Sequence, residues 1–299
     1  MSLSPATTEP LSARTGVLFA FAGGLTISFD IPLLRLAGTD PHLTLVARGA
    51  ALALFGLMAA RIIARAGNAP ARPWRDFDFL LVSIGYGLSG LLFTLAVYRT
   101  SAANLVFILA FNPLLAALFS WLFIGERPNV RTWFAMALTV LGVGIIFHDS
   151  LGTGTLVGDS LALGCTAALA LALTWSRRSG KNMALAPSAG GLLVMLYALP
   201  LIPAGALAAA SPTGLGYLAL NACLVLPLAS FLLATAPRYI SASRVAMFYL
   251  LETILAPIWV WLIFFEVPTT QTLIGGALVL TAIAWHNWQP AKPNRGAPA

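Results

Sequence analysis

Long apolar segments follow one another along almost the whole chain, and they constrain the fold more than any other feature. Only 9% of the 299 residues are charged, against about 25% in a soluble domain, so a water-facing surface cannot be built from this sequence. A bilayer core needs about 20 apolar residues of helix for each crossing. Ten segments reach or approach that length: 15–36, 43–63, 77–98, 102–124, 132–148, 155–176, 187–209, 213–235, 242–265 and 270–288.

The apolar segments are continuous rather than alternating, which excludes the strands of a membrane barrel. Helices satisfy their own backbone groups in lipid, so we expect an all-α membrane protein with ten transmembrane helices. Residues 1–13 and 289–299 are polar or proline-rich, and we expect them to be disordered tails. Residues 1–13 also lack the basic start and apolar core of an export signal.

The positive charges predict an orientation. If the N-terminus lies in the cytoplasm, fourteen of the seventeen Lys and Arg residues fall on the cytoplasmic side, and only Arg35, Arg48 and Arg99 fall on the other side. Cations near span ends are retained in the cytoplasm. We therefore predict that both termini are cytoplasmic and that the membrane is a bacterial inner membrane. Because the cations are spread over several loops, the net charge of +7 does not indicate nucleic-acid binding.

One sequence pattern occurs twice at an offset of 140 residues. Trp121, Glu126, Pro128 and Thr132 correspond to Trp261, Glu266, Pro268 and Thr272. An offset that covers five spans, an odd number, inserts the second copy upside down. We therefore predict two inverted five-helix repeats, residues 14–149 and 150–288, around a central cavity.

Inverted repeats are common in transporters, which bind their cargo near the midplane between the halves. Asn112 and Glu252 lie near the middle of spans four and nine at the same offset of 140, and polar groups at that depth usually face an interior cavity. An interhelical hydrogen bond would also explain Asn112. For Glu252 we favour a functional role, because a buried carboxylate is costly unless it is protonated or paired.

Further candidates lie in other spans. Tyr86 and Ser89 are three residues apart and share one helix face, and with Tyr249 they are expected to line the cavity. Asp30 either binds a cation or proton, as Glu252 could, or caps a bend at Pro32.

Two arginines are candidates for a gate. Arg99 and Arg244 lie at the ends of two helical hairpins, where they contact either a gate or lipid headgroups. The mid-membrane region has no lysine, and we take Arg99 and Arg244 as its nearest arginines.

Catalytic and metal-binding patterns are missing from the sequence. His42, His148 and His286 have no second ligand at metal spacing. The chain has no HExxH, P-loop or GxSxG motif, and Cys165 and Cys223 are interpreted as buried thiols. We therefore predict no metal, no cofactor and no enzyme activity, and a membrane-embedded enzyme is the less favoured alternative.

Two stretches carry a family resemblance. The segments from Ala96 to Pro128 and from Ala236 to Pro268 resemble the hairpin, mid-helix proline and Gly-Glu-Arg pattern of EamA-type carriers in the drug/metabolite transporter superfamily. The resemblance implies ten spans in two repeats and export of metabolites through a cavity lined by spans one, three, four, six, eight and nine. Family members often have Leu-Glu-Pro where this chain has Leu251, Glu252 and Thr253, which puts the pose of Glu252 in question.

The predicted function is export of a small molecule by alternating access. Scarce interior cations disfavour phosphorylated cargo, and a carboxylate among amides, hydroxyls and aromatics suits a neutral or aromatic amino acid or a similar metabolite. A multidrug exporter of lipophilic cations is the alternative within the same fold. The expected partners are the cargo and the lipid bilayer, and ten spans suffice to enclose a cavity in a monomer. Coupling to protons and passive facilitation both stay open.

Overall fold

The computed structural model describes residues 9–65, 75–181, 183–236, 239–240 and 242–287. Helices make up nearly all of this part of the chain, and it contains no strand. The helices are α1 (Glu9–Ile27), α2 (Asp30–Ala37), α3 (Pro41–Arg65), α4 (Phe77–Val97), α5 (Ala102–Leu109), α6 (Asn112–Ile124), α7 (Val130–Thr153), α8 (Leu156–Ser179), α9 (Ala186–Ala198), α10 (Ala206–Ala209), α11 (Pro212–Leu220), α12 (Leu226–Thr235), α13 (Ala242–Phe264) and α14 (Thr270–Asn287).

Seven helical segments are long and apolar enough to cross a membrane, counting only the described residues. They are α1 with α2, α3, α4, α5 with α6, α7, α8, and the segment Pro212–Leu233. Three shorter apolar helices, Ala186–Leu201, Leu251–Phe264 and Thr270–Trp285, complete the bundle. Large apolar side chains such as Leu18, Phe134 and Leu193 are exposed on its outside. The chain is a multi-pass, all-helical membrane protein.

Two predicted spans differ from the observed helices. The segment 187–209 is interrupted, because α9 ends at Ala198 and a 3₁₀ turn over Leu199–Leu201 separates it from α10. Pro200 and Pro203 lack the backbone N–H that a continuous helix would need. By contrast, α7 is longer than the predicted 132–148.

The ends of the chain agree only in part with the predicted tails. Helix α1 begins at Glu9, inside the segment 1–13 that we expected to be disordered. Residues 1–8 and the whole tail 289–299 lie outside the described residues.

Three spans depart from regular α-helix near their middle. The first is broken at Ser28 and Phe29, between α1 and α2, and the fourth at Ala110 and Phe111, just before Pro113. In the eighth, a π-helical turn over Asn221–Val225 joins α11 to α12. Such breaks are tolerated in a membrane where other groups of the protein satisfy the freed backbone, so they indicate where polar side chains are to be found.

Glycines let the helices approach closely at two crossings. A Cβ atom added to Gly142 of α7 would lie 2.6 Å from the carbonyl oxygen of Gly275 in α14. A Cβ on Gly87 of α4 would lie 2.8 Å from the carbonyl oxygen of Gly190 in α9. Small residues at such crossings are typical of membrane helix packing, in which van der Waals contact replaces the hydrophobic effect.

A buried carboxylate ties four helices together near one end of the bundle. Asp159 of α8 is fully buried and accepts hydrogen bonds from the hydroxyls of Thr100 and Ser150 and, at 3.0 Å, from the amide of Asn104. The Asn104 oxygen accepts in turn from the Thr272 hydroxyl of α14 at 2.7 Å. Three donors satisfy the carboxylate, so this cluster is a structural one.

We expect Gly142→Ala to destabilise the α7–α14 crossing, because the new methyl group has no room against Gly275. Overpacking of this kind costs about 1–3 kcal/mol. The matched control is Gly144→Ala in the same helix, where an added Cβ meets nothing within 4 Å. Thermal unfolding of the purified protein in detergent measures both, and equal midpoints for the two variants would contradict the close crossing.

Candidate functional site

A buried ion pair joins the first two spans in the interior of the bundle. Arg48 of α3 donates from Nη1 to Oδ1 of Asp30 and, at 3.1 Å, from Nη2 to Oδ2. The Asp30 and Arg48 side chains are only 4% and 11% exposed. Both terminal nitrogens of the guanidinium therefore face one carboxylate, an arrangement that adds geometric specificity to the charge attraction.

Asn221 completes this cluster from the eighth span. Its side-chain oxygen accepts from Arg48 at 2.7 Å, while its Nδ2 donates at 2.6 Å to Oδ1 and at 3.2 Å to the backbone oxygen of Asp30. The two groups that hold Arg48 lie where their spans are irregular: Asp30 follows the break between α1 and α2, and Asn221 opens the π-helical turn. Such turns are frequent at functional sites.

The position of Arg48 corrects the sequence interpretation. We had counted Arg48 among the cations at the outer membrane surface and had taken Arg99 and Arg244 as the arginines nearest the interior. Arg48 instead lies inside α3, with 9% of its surface exposed, and its guanidinium carbon is 5.4 Å from the centre of the Phe93 ring. The signal that could have found it is the opposite charge of Asp30 in the preceding span.

A second group of side chains lies beside Phe93. The Ser89 hydroxyl of α4 is 3.3 Å from the Cys165 sulfur of α8. Glu252 of α13 is close enough to Cys165 for their charges to interact, and Asp30 and Arg48 are likewise within electrostatic range of Glu252. The structure thus brings together three predicted residues, Asp30, Ser89 and Glu252.

Glu252 faces the interior of the bundle. Ile254, Ile258 and Trp261 form the exposed apolar side of α13, and at 3.6 residues per turn Glu252 lies on the opposite side of the helix. Trp259 of the same helix donates to the Ser28 hydroxyl at 3.0 Å and stacks on Phe29. No hydrogen bond or ion pair to the Glu252 carboxylate is formed within the described part of the chain.

The other predicted cavity residues have separate positions. Asn112 is half-buried, and its amide donates to the backbone oxygen of Thr166 in α8 at 3.2 Å. The interhelical hydrogen bond that we considered for Asn112 is therefore present. Tyr86 packs beside Trp175 in an apolar cluster of α4, α8 and α9, whereas Ser89 contacts Cys165. The shared face that we predicted for Tyr86 and Ser89 does not give them common neighbours. The side chain of Tyr249 lies outside the described residues.

Arg35 makes the contact that we had expected of Arg99. Arg35 forms an ion pair with Glu266 and donates to the backbone oxygen of Thr100, while Glu266 accepts from the backbone N–H of Ala102 at 3.0 Å. Arg99 itself is exposed and has no ion pair among the described residues. The side chain of Arg244 lies outside them. The signal for Glu266 was present in the repeated pattern, but its partner was not recognised.

The described residues contain no cluster of three or more His, Cys, Asp or Glu that could hold a metal ion. The chemistry of the site is that of polar recognition: one ion pair fixed by an amide, one carboxylate without a partner, a thiol, a hydroxyl and aromatic rings. Groups of this kind bind and orient a small molecule in a membrane interior.

Comparison with known proteins agrees with this description. Residues 14–148 match the EamA-like transporter family, while no curated protein matches the chain. A crystal structure of a protein 16% identical in sequence superposes with a TM-score of 0.58 over 91% of this chain and 95% of that chain, which indicates a shared fold. The family resemblance is confirmed by the match over residues 14–148, and the protein is a membrane-embedded EamA-like transporter of the drug/metabolite transporter superfamily.

Proposed function

We propose that the protein is a secondary transporter that exports amino acids, neutral or aromatic, or similar small metabolites by alternating access. The single observation that carries the proposal is the unpaired Glu252 carboxylate, which faces the bundle interior beside Asp30, Arg48 and Cys165. A carboxylate kept without a partner in such a place is costly. It is explained by a ligand or a proton that binds there during transport.

Local structure at the offset of 140 residues supports an inverted repeat. Gly125 ends α6 with φ +81°, and Phe265 follows α13 with φ +56°, which is uncommon for a residue other than glycine. In the first half, Asn129 accepts from the backbone N–H of Thr132 at 2.8 Å, and in the second half Thr269 accepts from that of Thr272 at 3.1 Å. The matching residues therefore share a backbone conformation and a helix cap.

The two repeated glutamates also pair in the same way. Glu126 forms an ion pair with Arg177 at the end of α8, and Glu266 forms one with Arg35 at the end of α2. Each glutamate thus reaches the helix that opens the other half. The side chains of Arg35 and Glu266 are 15% and 29% exposed, against 65% and 46% for Arg177 and Glu126. This difference supports a conformation that is closed at the Glu266 end and looser at the Glu126 end.

The same reasoning assigns roles to the remaining candidates. Tyr86, Ser89, Asn112, Tyr249 and Glu252 are proposed to contact cargo, and Arg99 and Arg244 to act at the hairpin ends, with Arg35 as an added gate residue. Both termini are proposed to lie in the cytoplasm of a bacterial cell. We assign proton coupling to Glu252 rather than Asp30, because Asp30 is already neutralised by Arg48.

Export of lipophilic cations is the second candidate function. Glu252 has no cation of the protein beside it, and the stacked rings of Phe29 and Trp259 lie on the same side of the bundle. An organic cation is stabilised by both features. Membership of a transporter family favours transport over the membrane-embedded enzyme that we also considered.

We expect Glu252→Gln to reduce uptake of a radiolabelled amino acid into proteoliposomes roughly tenfold or more, because a charge-assisted contact contributes about 1.5–3 kcal/mol. Uptake is measured with and without a pH gradient. Asp40→Asn is the control, since it removes the same charge at the start of α3, where Asp40 accepts from the backbone N–H of His42. Unchanged uptake and unchanged pH dependence in Glu252→Gln would exclude Glu252 from transport. Saturable uptake of a lipophilic cation with no amino-acid uptake would favour the second function.

The inverted topology predicts that cysteines introduced at positions 127 and 267 react from opposite sides of the membrane. Arg127→Cys should react with a membrane-impermeant maleimide only from the cytoplasmic side, and Val267→Cys only from the other side. The background is a variant without the exposed Cys223, while Cys165 is buried. Reaction of both positions from one side would refute the inverted repeat.

A further inference from the structure

Arg48 alone would make the interior of this transporter attractive to anions. A guanidinium presents two parallel N–H donors that match a carboxylate or a phosphate. Arg48 lies seven residues inside α3, about 10 Å from the helix end at 1.5 Å per residue. A buried cation at that depth is a strong site for an anionic molecule unless another group of the protein neutralises it.

Asp30 occupies the guanidinium in the way an anionic ligand would. Each of its carboxylate oxygens faces one terminal nitrogen of Arg48. Asn221 then holds both partners, accepting from Arg48 and donating twice to Asp30. The arrangement reproduces the bidentate binding of a free carboxylate with a carboxylate that belongs to the protein.

The pair borders the candidate site. Arg48 stands over the ring of Phe93, whose backbone lies beside Cys165, and Glu252 is within electrostatic range of both members of the pair. Counted from the Glu266 end, Glu252 lies twelve residues from the end of α13, about 18 Å deep. Arg48 is therefore closer to that end than Glu252, and cargo that leaves Glu252 in that direction passes the level of the pair.

The charges of this region add up in one direction. Asp30 and Arg48 cancel, and Glu252 adds a negative charge whenever it is ionised. An ammonium group gains from such a site, whereas a carboxylate without an ammonium meets a guanidinium that is already occupied.

We propose that Asp30 is a specificity-determining residue of this transporter: by occupying Arg48 it excludes anionic molecules and restricts the cargo to molecules that carry an ammonium group. The proposal rests on the transport function proposed above and narrows it to a substrate class. Its core is a property of the protein alone, namely that Arg48 binds a free carboxylate once Asp30 no longer does.

The test uses benzoate as a carboxylate probe that lacks an ammonium group. Binding to the full-length protein in detergent is measured by titration calorimetry. We expect no saturable benzoate binding to the wild type and saturable binding to Asp30→Asn, with an affinity at least tenfold above any wild-type signal. The double variant Asp30→Asn/Arg48→Gln should lose that binding, and Asp40→Asn, which removes a charge outside the cluster, should behave as the wild type does.

Two results would overturn the proposal. One is a folded, monodisperse Asp30→Asn variant that binds no benzoate. The other is benzoate binding that persists in the double variant. If Asp30→Asn does not fold, Asn221→Ala takes its place, because it removes one of the groups that hold Asp30 on Arg48. It should bind benzoate more weakly but still saturably, and a folded Asn221→Ala without binding is equally decisive against the proposal.

Uptake of radiolabelled phenylalanine by the wild type separates this inference from the proposed function. Benzoate binding by Asp30→Asn without any phenylalanine uptake by the wild type would refute amino-acid transport and leave the role of Asp30 intact. Phenylalanine uptake by the wild type with no benzoate binding by Asp30→Asn would leave transport intact and refute the role of Asp30.

Discussion

Lipid offers no hydrogen bonds, and most of the structure follows from that single property of the solvent. Each polar side chain within the spans has to find a partner in another helix or accept the cost of having none. Asp159 is satisfied by two hydroxyls and an amide, and Asp30 by a guanidinium and an amide. These bonds connect helices that are distant in sequence. Glu252, for which the described residues provide no partner, stands out because its surroundings obey the rule so closely.

Helix packing and helix breaks have complementary roles in placing these groups. Glycine pairs such as Gly142 with Gly275 bring the backbones of α7 and α14 into contact and leave no space for polar groups between them. The interrupted spans do the opposite. The break before Asp30 and the π-helical turn at Asn221 re-aim side chains that a regular helix would direct elsewhere. Tight crossings thus build the frame of the bundle, and irregular segments carry its ion pair.

The sequence predicted the helical architecture well because apolar length and the cost of lipid-exposed backbone leave few alternatives. It also placed Asp30, Ser89 and Glu252 in spans that meet in the structure. It could not predict Arg48, because counting cations near span ends treats an arginine seven residues from a helix start as a surface residue, and only the Asp30 carboxylate shows that it points inward. Cys165 was interpreted as an inert buried thiol. It is buried, but its contact with Ser89 depends on how α4 and α8 cross, which a single sequence does not reveal.

Phe265 has a consequence for the turn between α13 and α14. It adopts a left-handed backbone conformation in which glycine, the residue at the corresponding position 125, would be unstrained. In return, the chain gains an aromatic side chain that is 82% exposed at the boundary between helix and loop. Aromatic rings partition into the headgroup layer of a bilayer. The α13–α14 turn is thus moored to the membrane surface, while the equivalent turn after Gly125 has no such anchor, so the two ends of a nearly symmetric machine differ in how firmly the lipid holds them.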